Sequence, residues 1–261
     1  MRVHRRELLA GTALYLLFTS LPVRARTVPV SVPWEPDAGG PPLPIQPGPW
    51  TFFTPAEGAA VEAIADRLIP PDPESAGGKD AGCAVFIDRQ LAGPYGSSQG
   101  LYMSGPFKEG TPQQGDQSSI TPAMRYRQGL AALDKYCRAA FSGSAFVQIS
   151  DDEKDEILIG LENGSIALEG VEGKAFFKQV LTNTREGFFA DPLYGGNRDM
   201  VGWKMIGFPG ARYDYRDWIE RHNERFPLPP VSIMGRPRMD GGIINHHAIL
   251  ELTYGTQTAF N

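Results

Sequence analysis

The chain has 261 residues, 41% hydrophobic and 10% aromatic, a composition that folds and a length that can bury a real core. It carries 25 Lys and Arg against 30 Asp and Glu, a formal charge of −5, and this acidic balance argues against a nucleic-acid partner, because phosphates reward a net basic face. Thirty glycines and 23 prolines predict long irregular connections between the regular elements.

Residues 1–25 read as a removable signal peptide. His4-Arg5-Arg6-Glu7 makes a charged start, Leu8 to Leu21 runs fourteen residues without a charge, and Val23-Arg24-Ala25 offers a small-x-small pattern for cleavage after Ala25. The apolar run is short for a stable membrane span. Adjacent Arg5 and Arg6 point to the twin-arginine route, which carries folded proteins, with an ordinary secretory signal as the alternative. The expected location is the periplasm, and the remaining chain has 21 basic and 29 acidic residues, or −8. In an oxidising compartment Cys83 and Cys137 can close into one disulfide, worth roughly 4 kcal/mol in the chain-entropy model. Both also sit among apolar neighbours on predicted helices, as two buried free thiols would, and the two readings stand side by side.

Residues 26–50 form a proline-rich arm, expected to be extended and without helix because proline fixes φ and removes donors. Trp34 and Trp50, with Val28, Val30, Val32 and Ile45, are costly to leave in water, so the arm is expected to lie across its own domain or a partner, unless it is a plain spacer. The helical domain spans residues 51–225. Thr54-Pro55-Ala56-Glu57 is a capping box with proline at the first helical position, followed by Val61, Ile64, Ala65 and Leu68 at helical spacing until Pro70-Pro71. A second helix is predicted from about Asp80 to Leu91, and residues 93–120 read as a long loop. Thr121-Pro122 opens a helix to about residue 141. Ser150-Asp151-Asp152-Glu153 caps another over Asp151 to Leu161, and a fifth spans Gly173 to Phe189. Residues 190–212 are glycine-rich and irregular, a short helix is expected near Tyr213–Glu224, and 226–261 form an extended tail. The fold class is mainly α.

The usual marks of chemistry are missing from the sequence. There is no G-x-G-x-x-G for a dinucleotide, no C-x-x-C-H for haem, and neither H-E-x-x-H nor G-x-S-x-G for common hydrolases. His246 and His247 are adjacent, and on an extended segment they point apart; with His222 they read as surface or loop residues. Asp72, Asp88, Asp191 and Asp199 are candidates for paired acid–base work, but capping and solvated roles are the default for such acids. No catalytic, cofactor-binding or metal residue is expected in this chain.

One stretch stands apart. From Glu186 to Gly210, glycines at 195, 196, 202, 207 and 210 interleave with Phe188, Phe189, Tyr194, Trp203 and Phe208. Such a loop is packed and held, either to cover its own helices or to present Tyr, Trp and Phe anchors to another protein. The candidate docking or structural residues are Asp191, Pro192, Tyr194, Gly195, Gly196, Asn197, Trp203, Phe208 and Pro209.

These residues carry a resemblance. Phe188-Phe189-Ala190-Asp191-Pro192-Leu193-Tyr194-Gly195-Gly196-Asn197, Gly202-Trp203-Lys204 and Gly207-Phe208-Pro209-Gly210, with Ala63 to Pro70 and Phe86-Ile87-Asp88, resemble the gluconate 2-dehydrogenase subunit 3 family over roughly residues 52–210. The resemblance implies the small, non-catalytic subunit of a membrane-associated dehydrogenase of three parts. The large part would be a flavoprotein of the glucose–methanol–choline type carrying FAD, acting on gluconate or a related sugar or sugar acid. A multihaem cytochrome c would pass the electrons on. The small subunit would escort the flavoprotein through the twin-arginine translocase, and its membrane association would come through the complex alone. The alternatives are a stand-alone periplasmic hydrolase built on carboxylates, or a binding protein for a small ligand.

Overall fold

The computed structural model describes residues 48–233, apart from 109, 116, 213 and 214. All of these lie in one compact unit. The signal residues Arg5, Arg6 and Ala25, the arm up to residue 47, His246, His247 and the tail beyond 233 fall outside the described residues.

The described part is mainly helical, with six α-helices: α1 (Pro55–Leu68), α2 (Cys83–Ala92), α3 (Pro122–Ala140), α4 (Asp151–Asn163), α5 (Gly173–Phe189) and α6 (Val201–Ile206). Capping chemistry starts three of them where the sequence places it. The Thr54 hydroxyl accepts from Glu57 N at 3.3 Å while the Glu57 carboxylate accepts from Thr54 N at 2.8 Å, and Ser150 and Glu153 repeat the exchange on α4. Thr121 caps α3 through Met124 N, with Pro122 in the first turn. The second helix begins later than Asp80. Residues 79–82 form a turn and Gly82 is left-handed, so the helical ladder starts only at Cys83.

Helix α5 is the centre of the fold and packs against each of the other five helices. Its buried face is wide, holding Phe176, Phe177, Gln179, Val180, Asn183, Thr184, Gly187 and Phe188. The main core gathers Val61, Ile64, Ile87, Tyr126, Leu133, Phe146, Ile157 and Leu161 around it. Two polar side chains on this face, Gln179 and Asn183, are hydrogen-bonded, while the buried Thr184 hydroxyl finds no hydrogen-bond partner among the described residues. Asn183 Oδ1 accepts from the hydroxyls of Tyr95 and Tyr126, each at 3.2 Å, which pins the start of the 93–120 loop and α3 to α5. Burial pushes both phenols above their ordinary range. Between α1 and α4, Arg67 grips Asp155 with Nε at 2.7 Å and Nη2 at 2.6 Å.

Four points of the sequence reading are decided or changed, the first being the open choice between a disulfide and two free thiols. Cys83 and Cys137 are both free, buried thiols. Cys83 packs with Ala65, Ala81 and Phe188 in a small cluster, whereas Cys137 belongs to the main core, so each fills an apolar site of its own. Burial pushes the Cys83 thiol up to about 12 and, with Asp134 adding to it, the Cys137 thiol up to about 11. In place of a helix near Tyr213–Glu224, the described residues there form a single 3-10 turn, Arg216–Trp218. Ile219 is exposed there, and without an apolar stripe to bury, so short a helix gains no tertiary support. The 190–212 stretch, expected to be irregular, contains the 3-10 turns Pro192–Tyr194 and Arg198–Met200 and the short helix α6.

The fourth change concerns Asp88, which is neither solvated nor a cap. It is fully buried, and its carboxylate accepts from the backbone N–H groups of Thr51, Phe52 and Phe53, each at 2.9 Å. Arg89 completes the staple, donating to Asp88, to Thr51 and to Pro49 O. The end of the proline-rich arm is thereby tied to α2, and Trp50 lies half-buried against Phe53. For this one tryptophan the expectation of an arm laid on its own domain is met; Trp34 is outside the described residues.

Candidate docking surface

The C-terminal end of α5 sets the site. A helix leaves its last carbonyls without partners, and here side chains from the following loop supply them. Trp203 Nε1 donates to Phe189 O at 2.8 Å, and Asn197 Nδ2 donates to Ala190 O at 2.8 Å. Asn197 is completely buried, and its Oδ1 accepts from Gly202 N at 2.8 Å, so one side chain bridges the end of α5 and the start of α6. Arg198 N donates to Ala81 O at 3.0 Å and ties the loop to the turn before α2.

Two glycines permit this closeness. A Cβ on Gly196 would lie 2.2 Å from Gly187 O, and one on Gly202 would lie 2.2 Å from Phe188 O. The loop backbone therefore rests directly on the backbone of α5. Asp191 caps the turn Pro192–Tyr194 by accepting from Leu193 N at 3.0 Å. Trp203 is 6% exposed and meets Phe208 edge-on at 5.2 Å. It belongs to the chain's own core, as do Gly196 and Asn197, and so is not the exposed anchor that its type suggested.

The outward side of the same loop carries large apolar side chains beside the exposed Arg198, Asp199 and Lys204. Phe189, Tyr194, Met205, Ile206 and Phe208 are between 37% and 58% exposed. Pro192, Gly195 and Pro209 are half-buried between the two sides. The loop is thus split: Asn197, Trp203, Gly196 and Gly202 face in and fix the backbone, while Tyr194 and Phe208, joined by Met205 and Ile206, face out. Met205 and Ile206 were not singled out from the sequence. Their place on the last turn of α6, after the buried Trp203, is the signal that marks them.

The candidate acids do not converge as a pair. Asp72 closes a turn by accepting from Glu74 N and Ser75 N, and these bonds hold its carboxyl below the ordinary value. Asp88 is the staple described above, and Asp191 is the cap. Asp72 and Asp199 do line one open cleft of about 770 Å³, with Glu74 and Asp80, but Arg198, Lys204 and Arg225 are interspersed among them, and Met205 and Ile206 form part of its wall. His222 is exposed. Among the described residues no group of three His, Cys, Asp or Glu side chains is placed to hold a metal ion, and no helix is long and apolar enough to cross a membrane.

The fold and this surface define a helical scaffold with a loop hydrogen-bonded onto α5 that carries large exposed apolar side chains. A family model described as gluconate 2-dehydrogenase subunit 3 matches residues 55–210. The chain belongs to that family and is a small subunit of a dehydrogenase. Neither a curated protein nor a solved structure matches it significantly. The matched region opens at the first residue of α1 and closes at Gly210, where the loop ends.

Proposed function

We propose that this chain is the non-catalytic small subunit of a periplasmic, FAD-dependent dehydrogenase of gluconate or a related sugar or sugar acid. Its apolar loop face docks on the flavoprotein subunit, of the glucose–methanol–choline type. FAD sits in that subunit and haem c in a multihaem cytochrome c that receives the electrons. The small subunit escorts the flavoprotein through the twin-arginine translocase, and the complex, not this chain, meets the membrane.

The observation that carries the reading is the split loop. Five large apolar side chains are held outward by a backbone that is cross-linked to α5, so little conformational freedom remains to be lost on binding. Aromatic and methionine side chains on a pre-ordered surface are the usual anchors of a protein interface. The twin arginines support the escort role, since a flavoprotein loaded with its cofactor has to cross the membrane folded.

The test is a tagged pull-down from the native host, with an absorbance spectrum of the eluate. The expected result is a larger protein with flavin and haem bands. Met205→Asp or Ile206→Asp should lose that protein while keeping the helical circular dichroism, and full recovery with either variant would refute the docking face. Replacing Arg5 and Arg6 with Lys should strand both subunits in the cytoplasm; normal export of either would remove the escort role.

A further inference from the structure

Asp191 has more partners than a cap needs. Its Oδ1, which accepts from Leu193 N at 3.0 Å, also accepts from the Ser232 hydroxyl at 2.6 Å, and its Oδ2 accepts from Ile233 N at 2.8 Å. At the other end of the loop, Gly210 pairs with Val231 in a parallel bridge. Ala211 N donates to Val231 O at 2.6 Å, and Val231 N donates to Pro209 O at 3.2 Å. A Cβ on Gly210 would come within 2.1 Å of Val231 O, so the crossing segment fills the room a side chain would need. Arg212 adds a bond to Pro229 O at 2.7 Å. Ser232 is buried beneath this arrangement, while Ile233 emerges 60% exposed.

We propose that Asp191 and Gly210 form a clamp for the chain's own segment Val231–Ile233, and that the seated segment holds the Phe208–Pro209 edge of the docking face in its binding geometry. The proposal rests on the docking reading and deepens it. The segment is met largely through its main chain, in the manner of a strand added to an edge, with its Ser232 hydroxyl also bonded to the Asp191 carboxylate. Pro209 O is held by Val231 N, while the neighbouring Phe208 is braced on Trp203 from the other side. Phe208 and Pro209 are therefore fixed from two directions, one of them supplied by a segment that lies beyond the matched family region. Asp191 is then a positioning residue: it acts on a partner through the loop edge and need not touch the partner itself.

The experiment uses the full chain and the flavoprotein subunit purified from the native host. Asp191→Asn keeps an acceptor for Leu193 N and the Ser232 hydroxyl but turns an amide N–H group toward the Ile233 N–H. Exchange at the amides of Ala211, Val231 and Ile233 should accelerate about tenfold or more, with α1 to α5 unchanged. Affinity for the flavoprotein should fall by about tenfold in the same variant, the loss expected when a pre-ordered contact must be re-ordered on binding. Ser232→Ala, which removes the hydroxyl bond to Asp191, should shift both readouts by a few-fold in the same direction, and it decides the question should Asp191→Asn fail to fold. Unchanged exchange at these amides, or accelerated exchange with unchanged affinity, would overturn the clamp. Met205→Asp separates the two levels. If it leaves capture intact, the docking face itself has failed. If it abolishes capture while the clamp variants do not weaken it, the clamp alone has failed.

Discussion

Removing the Asp88 carboxylate should cost this fold about 3–5 kcal/mol, a large share of the 5–15 kcal/mol typical of a domain. Asp88→Ala strands the Phe53 N–H in a buried site and the Thr51 and Phe52 N–H groups in half-buried ones, and it leaves Arg89 without its carboxylate. Hydrogen bonds to a charged acceptor are worth about 1.5–3 kcal/mol each, but three on one carboxylate do not add fully. Asp88→Asn refines the argument. Its oxygen can still take the Phe52 and Phe53 N–H groups that now meet Oδ1, while the Thr51 and Arg89 bonds to Oδ2 and the charge are lost, so about 2–3 kcal/mol is expected. Urea unfolding followed by far-ultraviolet circular dichroism reads both values. Exchange at residues 51–53 should rise in each variant ahead of global unfolding. A loss below about 1 kcal/mol for Asp88→Ala would mean that the arm is held by Trp50 and Phe53 packing, and the staple argument would be wrong.

Asn197→Leu deletes both bonds of a buried bridge and puts a branched side chain at φ +46°, so a loss of about 3 kcal/mol in thermal or urea unfolding is expected. Cys83 and Cys137 should resist a thiol reagent at pH 8 until the chain unfolds; rapid labelling of the native protein would contradict their burial. Their raised folded-state values also set a direction with pH. The neutral thiols favour the fold fully below the ordinary value of 9.0, and this stabilisation is lost as pH rises from there through about 11 and 12, so urea midpoints should fall over that window. On the acid side, burial works against the Glu57 charge, but the Arg127 guanidinium and the Thr54 bonds outweigh it and hold the carboxyl low. Its contribution is present above its ordinary value of 4.5 and is lost as pH falls through the lowered one, and Glu57→Gln should flatten the acid limb of the stability curve.

The helices were legible wherever local chemistry decides them. Thr54, Thr121 and Ser150 announce three starts, and the apolar spacing from Phe177 to Phe188 marks the central helix, because caps and periodicity act within a few residues. The importance of the 186–210 stretch was legible too, from glycines set among aromatics. Which side of it faces out was not. Trp203 and Phe208 look alike as anchors in a sequence, and only the position of the Phe189 carbonyl decides that the tryptophan turns inward. Asp88 was misread for the same reason: its partners are 35 to 37 residues away, and nothing near it in sequence shows three converging N–H groups. The clamp on Val231–Ile233 is likewise a contact between distant parts, with Asp191 and Ile233 separated by 42 positions.

The division of labour within the loop has an evolutionary reading. Tyr194, Met205, Ile206 and Phe208 contribute little to the interior, whereas Asn197, Trp203, Gly196 and Gly202 secure the backbone on α5. On the proposed docking face, exchanging the outer set while the inner set stays would re-address one chassis to a different dehydrogenase by changing a handful of side chains. Graft experiments that transplant only those four positions between related small subunits would then move partner choice without moving stability.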